Sequence, residues 1–360
     1  MPLSHDADPA YEDQTSSLPL QADATPGPDA VTGRRPRRAR IALIAAAVIL
    51  LLGALSACGY LFALDRTLGG NLKRDPSLLK GLTDRPAKPE GDAGKALNYL
   101  LIGSDSRAGE DGPIVDGERS DTIMIAHVTA KRDKVYLIAF PRDLYVPIPG
   151  HGKNKINAAY SVGDAPLLVS TLEQLTSVRI DHVAVIDFQG LRRLTTLVGG
   201  VTVNNAHASS VGSYHWPKGQ ITIQGDEALQ YVRQRHGLPG GDLDRVERQQ
   251  EVVRALMLRG TSRDTLSHPG RLLNLVRTGA QNVTVDDTLG QGEIRSTALS
   301  LRGVRGADIQ FLQAPITGFG TTTAGASIDV LDTKRMTELS DAMLTDQVAQ
   351  YLKVNPARSM

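Results

Sequence analysis

The sequence predicts a three-layer α/β/α domain on a central mixed sheet, preceded by a single transmembrane helix. Three observations predict it. The runs 96–102, 122–128 and 135–140 are apolar on consecutive residues, the pattern of strands covered on both faces. Strand-like and helix-like segments alternate after them, as in α/β folds. Ahead of them, residues 41–64 form 24 consecutive positions without a charged side chain, which at about 1.5 Å per helical residue exceeds a hydrocarbon core of roughly 30 Å.

Each element has its own punctuation. Ala96 to Ile102 ends at Gly103, Thr122 to Val128 is followed by the polar turn Lys131-Arg132-Asp133-Lys134, and Val135 to Phe140 stops at Pro141. The turn joins the second and third strands as a hairpin. Pro166 to Thr176 reads as a helix, His182 to Asp187 as a strand, Phe188 to Val198 as a helix with apolar residues at helical spacing, and Val201 to Val203 as a short strand. Asp226 to Val232 is helical, and a further helix starts at Gly240-Gly241-Asp242 and runs to about Arg259. No repeat or long polar linker divides 96–340, so one domain is expected.

The 360 residues carry 40 Lys+Arg against 39 Asp+Glu, which excludes the global cationic field of a typical nucleic-acid binder. Charge is uneven at the front. Residues 1–33 hold six acids and no Lys or Arg, then Arg34, Arg35, Arg37, Arg38 and Arg40 precede the apolar run. By the positive-inside rule residues 1–40 are a disordered cytoplasmic tail, 41–64 a signal anchor in the cell membrane, and the rest extracellular. A buried core helix, or cleavage near Leu55-Ser56-Ala57-Cys58, are the other readings of that run. Residues 65–95, rich in Gly, Pro, Lys and Asp, read as a stalk, 96–345 as the folded domain and 346–360 as a C-terminal tail. Cys58 is the sole cysteine, so the exported part has no disulfide.

Charged residues gather at the strand ends. Asp105 and Arg107 follow the first strand, Arg119 and Asp121 open the second, and Arg142 and Asp143 close the third. If the first strand runs parallel to the third, all three clusters meet at one sheet edge, where ligands of open α/β sheets bind. Asp105 and Asp121 can share a hard cation such as Mg²⁺, and Arg119 and Arg142 can hold phosphate oxygens. Taken singly, each Asp is also an ordinary turn residue and each Arg its solvated partner. Downstream, Arg233 and Arg235 serve one anion only if the chain becomes extended there, and the next helix opens with Arg245, Arg248 and Gln249. A helix N-terminus dressed in this way suits an anion, and equally a salt-bridged amphipathic helix.

The segments Leu101-Ile102-Gly103-Ser104-Asp105-Ser106-Arg107, Arg119-Ser120-Asp121-Thr122-Ile123-Met124, Pro141-Arg142-Asp143, Lys155-Ile156-Asn157-Ala158-Ala159-Tyr160 and Tyr231-Val232-Arg233-Gln234-Arg235 through Arg248-Gln249-Gln250 resemble the LytR-CpsA-Psr family of bacterial envelope proteins. The resemblance spans about 96–260. It implies an Mg²⁺-dependent phosphotransferase that moves a glycopolymer, teichoic acid among the candidates, from a polyprenyl-pyrophosphate carrier onto peptidoglycan through a phosphodiester. It implies Mg²⁺ at Asp105 and Asp121, with Asp121, Arg119 and Asp105 in the catalytic centre. Pyrophosphate would be held by Arg119, Arg142, Arg233, Arg235, Arg245 and Gln249, and the polyprenyl chain by an apolar tunnel. The stripe Phe188, Leu191, Leu194, Leu197 and Val198 either lines that tunnel or is plain core. Asp121, then Asp143, are the candidate general bases. His127 and His182 read as core histidines, and Trp216 as core or a sugar contact. Other readings are a non-catalytic scaffold for lipid-linked polymer, a pyrophosphatase, or a DNA-binding regulator, against which the near-neutral domain counts; no nucleic-acid partner is expected.

Overall fold

A computed structural model describes residues 66–67, 69–104, 120–234, 237–260 and 262–356. The expected cytoplasmic tail and membrane span lie outside the described residues, and among those described no helix is long and apolar enough to cross a membrane.

The strands are β1 (Lys73–Arg74), β2 (Leu97–Ser104), β3 (Ser120–Val128), β4 (Val135–Phe140), β5 (Leu144–Ile148), β6 (Gly152–Lys155), β7 (His182–Asp187), β8 (Val201–Asn205), β9 (Ser209–Val211), β10 (Tyr214–Trp216), β11 (Gly219–Ile223), β12 (Val283–Val285), β13 (Ile309–Gln313), β14 (Ile316–Thr321) and β15 (Ser327–Leu331). The helices are α1 (Ile156–Thr176), α2 (Phe188–Leu197), α3 (Gly225–Arg233), α4 (Asp242–Gly260), α5 (Arg263–Ser267), α6 (Pro269–Gln281), α7 (Gln291–Ser300), α8 (Thr333–Leu344) and α9 (Val348–Val354). The central sheet has the order β1-β12-β7-β2-β3-β4-β13. It is mixed: β3 runs antiparallel to both β2 and β4, β2 is parallel to β7, and β4 is parallel to β13.

Both faces of this sheet are covered, as the consecutive apolar residues require. Leu100, Ile102, Ile125 and Ile138 point to one face and pack with Leu168, Val169 and Leu172 of α1 and Leu339 of α8. Ala126, Leu137 and Phe311 point to the other, where Val253 and Met257 of α4 lie against them. The two faces differ in tightness: Leu100 and Ile102 are fully buried, whereas Leu97, Tyr99 and Leu101, on the same central strand but facing α4, are only partly buried.

Three expectations change. The helix expected from Pro166 begins at Ile156, with non-helical backbone at Gly163 and Asp164 just ahead of the proline, where the proline ring disfavours a regular turn. Val201–Val203 is a strand as expected, the first part of β8, which pairs with β11 away from the central sheet; its buried and exposed residues alternate because only one face meets a core. The segment expected as a stalk is part of the fold from Lys73 onward. There β1 extends the sheet, Leu78 joins the core, and Arg85 forms a 2.6 Å ion pair with the buried Glu173. That carboxylate also accepts from the Ile180 N–H, so its charge is compensated. The expected C-terminal tail likewise starts as structure: Asp346 accepts from the Ala130 N–H and lies 3.1 Å from His127 Nε2, and Val348 of α9 is buried.

The expected core histidines are core. His127 is bonded to Asn98 and Asp346. His182 sits 3.3 Å from Asp286 and 3.0 Å from Glu293, stacked on Tyr99. Burial alone would lower the His182 pKa, but hydrogen bonds to the two carboxylates raise it overall. Burial opposes ionisation of Asp286 too, yet bonds from His182, Thr288 and the Val183 N–H lower it to about 2. Stability from His182 is therefore present below its unfolded pKa of roughly 6.5 and fades as pH rises through the higher folded value. Stability from Asp286 is present above roughly 4 and fades toward pH 2. Tm should therefore be highest between about pH 4 and 6.5, and His182→Phe should flatten the alkaline side of a Tm profile; an unchanged alkaline slope would contradict this.

Candidate active site

The register of three strands builds the site's frame. Ser104, the last residue of β2, pairs with Ser120, the first of β3, and Ile123 pairs with Phe140, the last of β4. The end of β2, the start of β3 and the end of β4 therefore share one sheet edge. Of the residues predicted to converge there, Asp105 and Arg119, adjacent in sequence to that serine pair, lie outside the described residues, as do Arg107 and Arg235. For Asp121 the backbone is described, one position into β3.

Arg142 leaves the same edge two residues after β4 ends. Its turn is braced by the Lys155-to-Tyr160 segment: the Asn157 N–H donates to the Arg142 carbonyl at 3.2 Å, and Ile156, Ala159 and Tyr160 are buried behind it. Asp143 is engaged by Lys155 Nζ at 2.7 Å and lies 3.5 Å from Arg142 Nε. The motif thus has a structural reason: it anchors the turn that presents Arg142.

α4 supplies the opposite wall. Its start depends on two glycines. Gly241 has φ +55, and a Cβ on Gly240 would come within 2.5 Å of the Asp244 carboxylate, which instead accepts from the Gly240 N–H at 2.8 Å. Val246 packs on Met124 and Ala139, so the turn carrying Arg245, itself 3% exposed, lies over β3 and β4. Gln249 fastens it: its Oε1 accepts from Thr122 Oγ1 at 2.7 Å, and its Nε2 donates to the Val232 carbonyl at 3.3 Å. Arg233 follows Val232 as the last residue of α3, and Gln234 is extended, as the pair of arginines required. Gln249, expected at the pyrophosphate, also pins α4 to β3 and to the end of α3, and has one Nε2 hydrogen beyond the bond to Val232.

Arg248 is the residue whose role the sequence did not disclose. Buried at 5% exposure, it donates to Gln234 Oε1 at 2.6 Å, Asn205 Oδ1 at 3.0 Å, Ser209 Oγ at 2.8 Å and the His207 carbonyl at 3.2 Å. Its guanidinium lies 4.3 Å from the Tyr231 ring centroid and 5.7 Å from that of Trp216. Burial lowers the Arg248 pKa and pushes the Tyr231 hydroxyl up to about 12. Trp216 is accordingly core rather than a sugar contact, and donates Nε1–H to Glu227 at 3.1 Å.

The helical stripe divides. Leu191 and Val198 pack against the core of Val201, Trp216 and Ile223. Leu194 is partly buried and Leu197 is 41% exposed; the Phe188 side chain lies outside the described residues. A single tunnel-lining stripe is thus corrected for Leu191, Val198 and Leu197, because α2 turns these residues to a second core and to solvent. The loosely covered apolar surface lies instead under α4, along Leu97, Tyr99 and Leu101.

A mixed α/β sheet with Arg142 just past one strand edge, and a helix whose first turns carry Arg245 over β3 and β4, defines the class of fold and site. The chain belongs to the LytR_cpsA_psr family, whose model matches residues 74–345. It is 35% identical over 236 residues to the polyisoprenyl-teichoic acid--peptidoglycan teichoic acid transferase TagU of Oceanobacillus iheyensis, covering 64% of this chain and 69% of that protein. It is 30% identical to the cell wall biosynthesis protein LcpA of Corynebacterium glutamicum, covering 87% of this chain and 67% of that one. The solved structure of TagT bound to LI-WTA matches with a TM-score of 0.57 at 25% identity, covering 75% of this chain and 99% of TagT.

Replacing Arg248 leaves buried acceptors without a donor. Arg248→Met should cost on the order of 3 kcal/mol in urea unfolding, and Arg248→Lys should recover less than half, because an ammonium cannot span the same acceptors. A loss below about 1 kcal/mol for Arg248→Met would contradict the assigned role.

Proposed function

We propose that this chain transfers a glycopolymer from a polyprenyl-pyrophosphate carrier to peptidoglycan, forming a phosphodiester outside the membrane. The observation that carries the reading is the shared edge set by the Ser104–Ser120 and Ile123–Phe140 pairs, with Arg142 on one side and the Gln249-pinned start of α4 on the other. The name of TagU, a polyisoprenyl-teichoic acid--peptidoglycan teichoic acid transferase, supports it. Residues 41–64, flanked by the arginine cluster, would anchor the protein with its N-terminus in the cytoplasm.

In this reading Arg142, Arg233 and Arg245, with Arg119 and Arg235, bind and orient the diphosphate through charge-assisted bonds. The partly buried face of Leu97, Tyr99 and Leu101 receives the start of the polyprenyl chain. A hydroxyl of the acceptor sugar attacks the phosphorus bearing the glycan. The bond from that phosphorus to the bridging oxygen breaks, and polyprenyl phosphate leaves. Asp143 is already engaged by Lys155, which leaves Asp121 to take the hydroxyl proton. The donor set suits magnesium: Asp105 and Asp121 each follow one member of the Ser104–Ser120 pair, and one or two carboxylates with phosphate oxygens are the usual ligands of that ion. Bound there, Mg²⁺ supplies Lewis-acid stabilisation of the charge on the departing phosphate.

Full-length protein in lipid vesicles, given a polyprenyl-pyrophosphate-linked glycan, Mg²⁺ and peptidoglycan, should place glycan on the wall polymer. Arg142→Ala and Asp121→Ala should each lower the transfer rate by about 100-fold or more, and EDTA should abolish transfer until Mg²⁺ is restored. Transfer that is indifferent to both substitutions would contradict the proposal.

A further inference from the structure

The structure assigns an acceptor subsite to the cavity on the far side of α4: a pocket for an N-acetylhexosamine unit of the peptidoglycan chain. This rests on the transferase reading above. The cavity encloses about 330 Å³, within the usual range for small-molecule sites. It lies along the outer edge of β13, the last strand of the central sheet, between α4 and the helices α8 and α9.

Its position ties it to the transfer edge. β13 is parallel to β4, and the Ala314 N–H donates to the Ala139 carbonyl at 2.7 Å. The cavity floor therefore ends beside the point where β4 gives way to Pro141 and Arg142. α4 is a shared wall. Gln249 reaches Thr122 on the pyrophosphate side, while Gln250, the next residue, lines the cavity and donates to the Leu312 carbonyl at 3.4 Å. A two-substrate transfer needs a second binding locus beside the donor, opening onto the same edge, and this cavity meets that requirement.

The lining fits a sugar rather than a purely apolar chain. Tyr351, partly buried against the core, brings an aromatic side chain to the lining, the kind of group that packs on the apolar face of a pyranose, and Glu247, Gln250 and Gln313 add polar groups beside it. Arg335 contributes a cation whose side chain is 60% exposed and lies 3.9 Å from Asp332. That cation can donate to the lactyl and acetamido carbonyl oxygens of an N-acetylmuramic acid unit, and to the lactyl carboxylate where no stem peptide is attached.

The test uses the full-length protein in detergent and the disaccharide of N-acetylglucosamine and N-acetylmuramic acid, titrated by calorimetry, with kinetics of glycan transfer to the same disaccharide. Arg335→Ala and Gln313→Ala, both outside the packed core, should each weaken disaccharide binding at least tenfold and raise its KM by a similar factor. The kcat should stay within twofold, and affinity for the polyprenyl-pyrophosphate donor should not change. Absence of disaccharide binding to the unmodified protein, or binding indifferent to both substitutions, overturns the inference. Donor binding that persists and remains sensitive to Arg142→Ala confines such a failure to the acceptor subsite; loss of donor binding as well would refute the transferase reading itself.

Discussion

The constraint on which the rest of this structure depends is strand direction. Because β3 runs antiparallel to both β2 and β4, the end of β2, the start of β3 and the end of β4 fall on one edge. A parallel arrangement of the same three strands would send the Ser120 end to the opposite side and part the two carboxylate-bearing segments. The short polar turn after Val128 enforces the hairpin. Register does the remainder, since a slip of one residue would turn the fully buried Ile125 and Ile138 to the other face.

Around that edge the molecule places cations by burying the groups that position them. Gln249 joins β3 to the end of α3, and Arg248 joins α4 to Gln234 beside Arg233. Removing an arginine from water is costly, and here four acceptors and an aromatic face offset the cost. The result is a second wall held to β3 and to the end of α3 by buried hydrogen bonds.

Much of this was legible in the sequence where a residue's neighbours in the chain decide its state. Val135–Phe140 and His182–Asp187 have the bounds the apolar runs predict, and the strand ends carry the charged clusters. The readings that failed concern elements whose partners are distant. β1 and β12 are two and three residues long and gain their place only by pairing with each other and with β7. The segment from Lys73 to Lys95 looked like a stalk because it is held by a few anchors, Leu78 and Arg85, rather than by a periodic apolar stripe. In the site, Arg142 was legible as a strand-end residue, whereas the bonding of Arg248 and Gln249 depends on Asn205, Ser209 and Thr122, more than thirty positions away in sequence. The α2 stripe had the right spacing for one buried face, but spacing does not say whether that face meets a lipid or another core.

The central claim is that this sheet edge holds the diphosphate of the carrier. A crystal structure of the full-length protein with a polyprenyl pyrophosphate and Mg²⁺ tests it most directly. The account predicts the diphosphate beside the Ser104–Ser120 pair, within hydrogen-bonding distance of Arg142 and Arg245, with its chain running toward Leu101 and Tyr99. A diphosphate bound at the opposite end of the sheet, near His182, would contradict it.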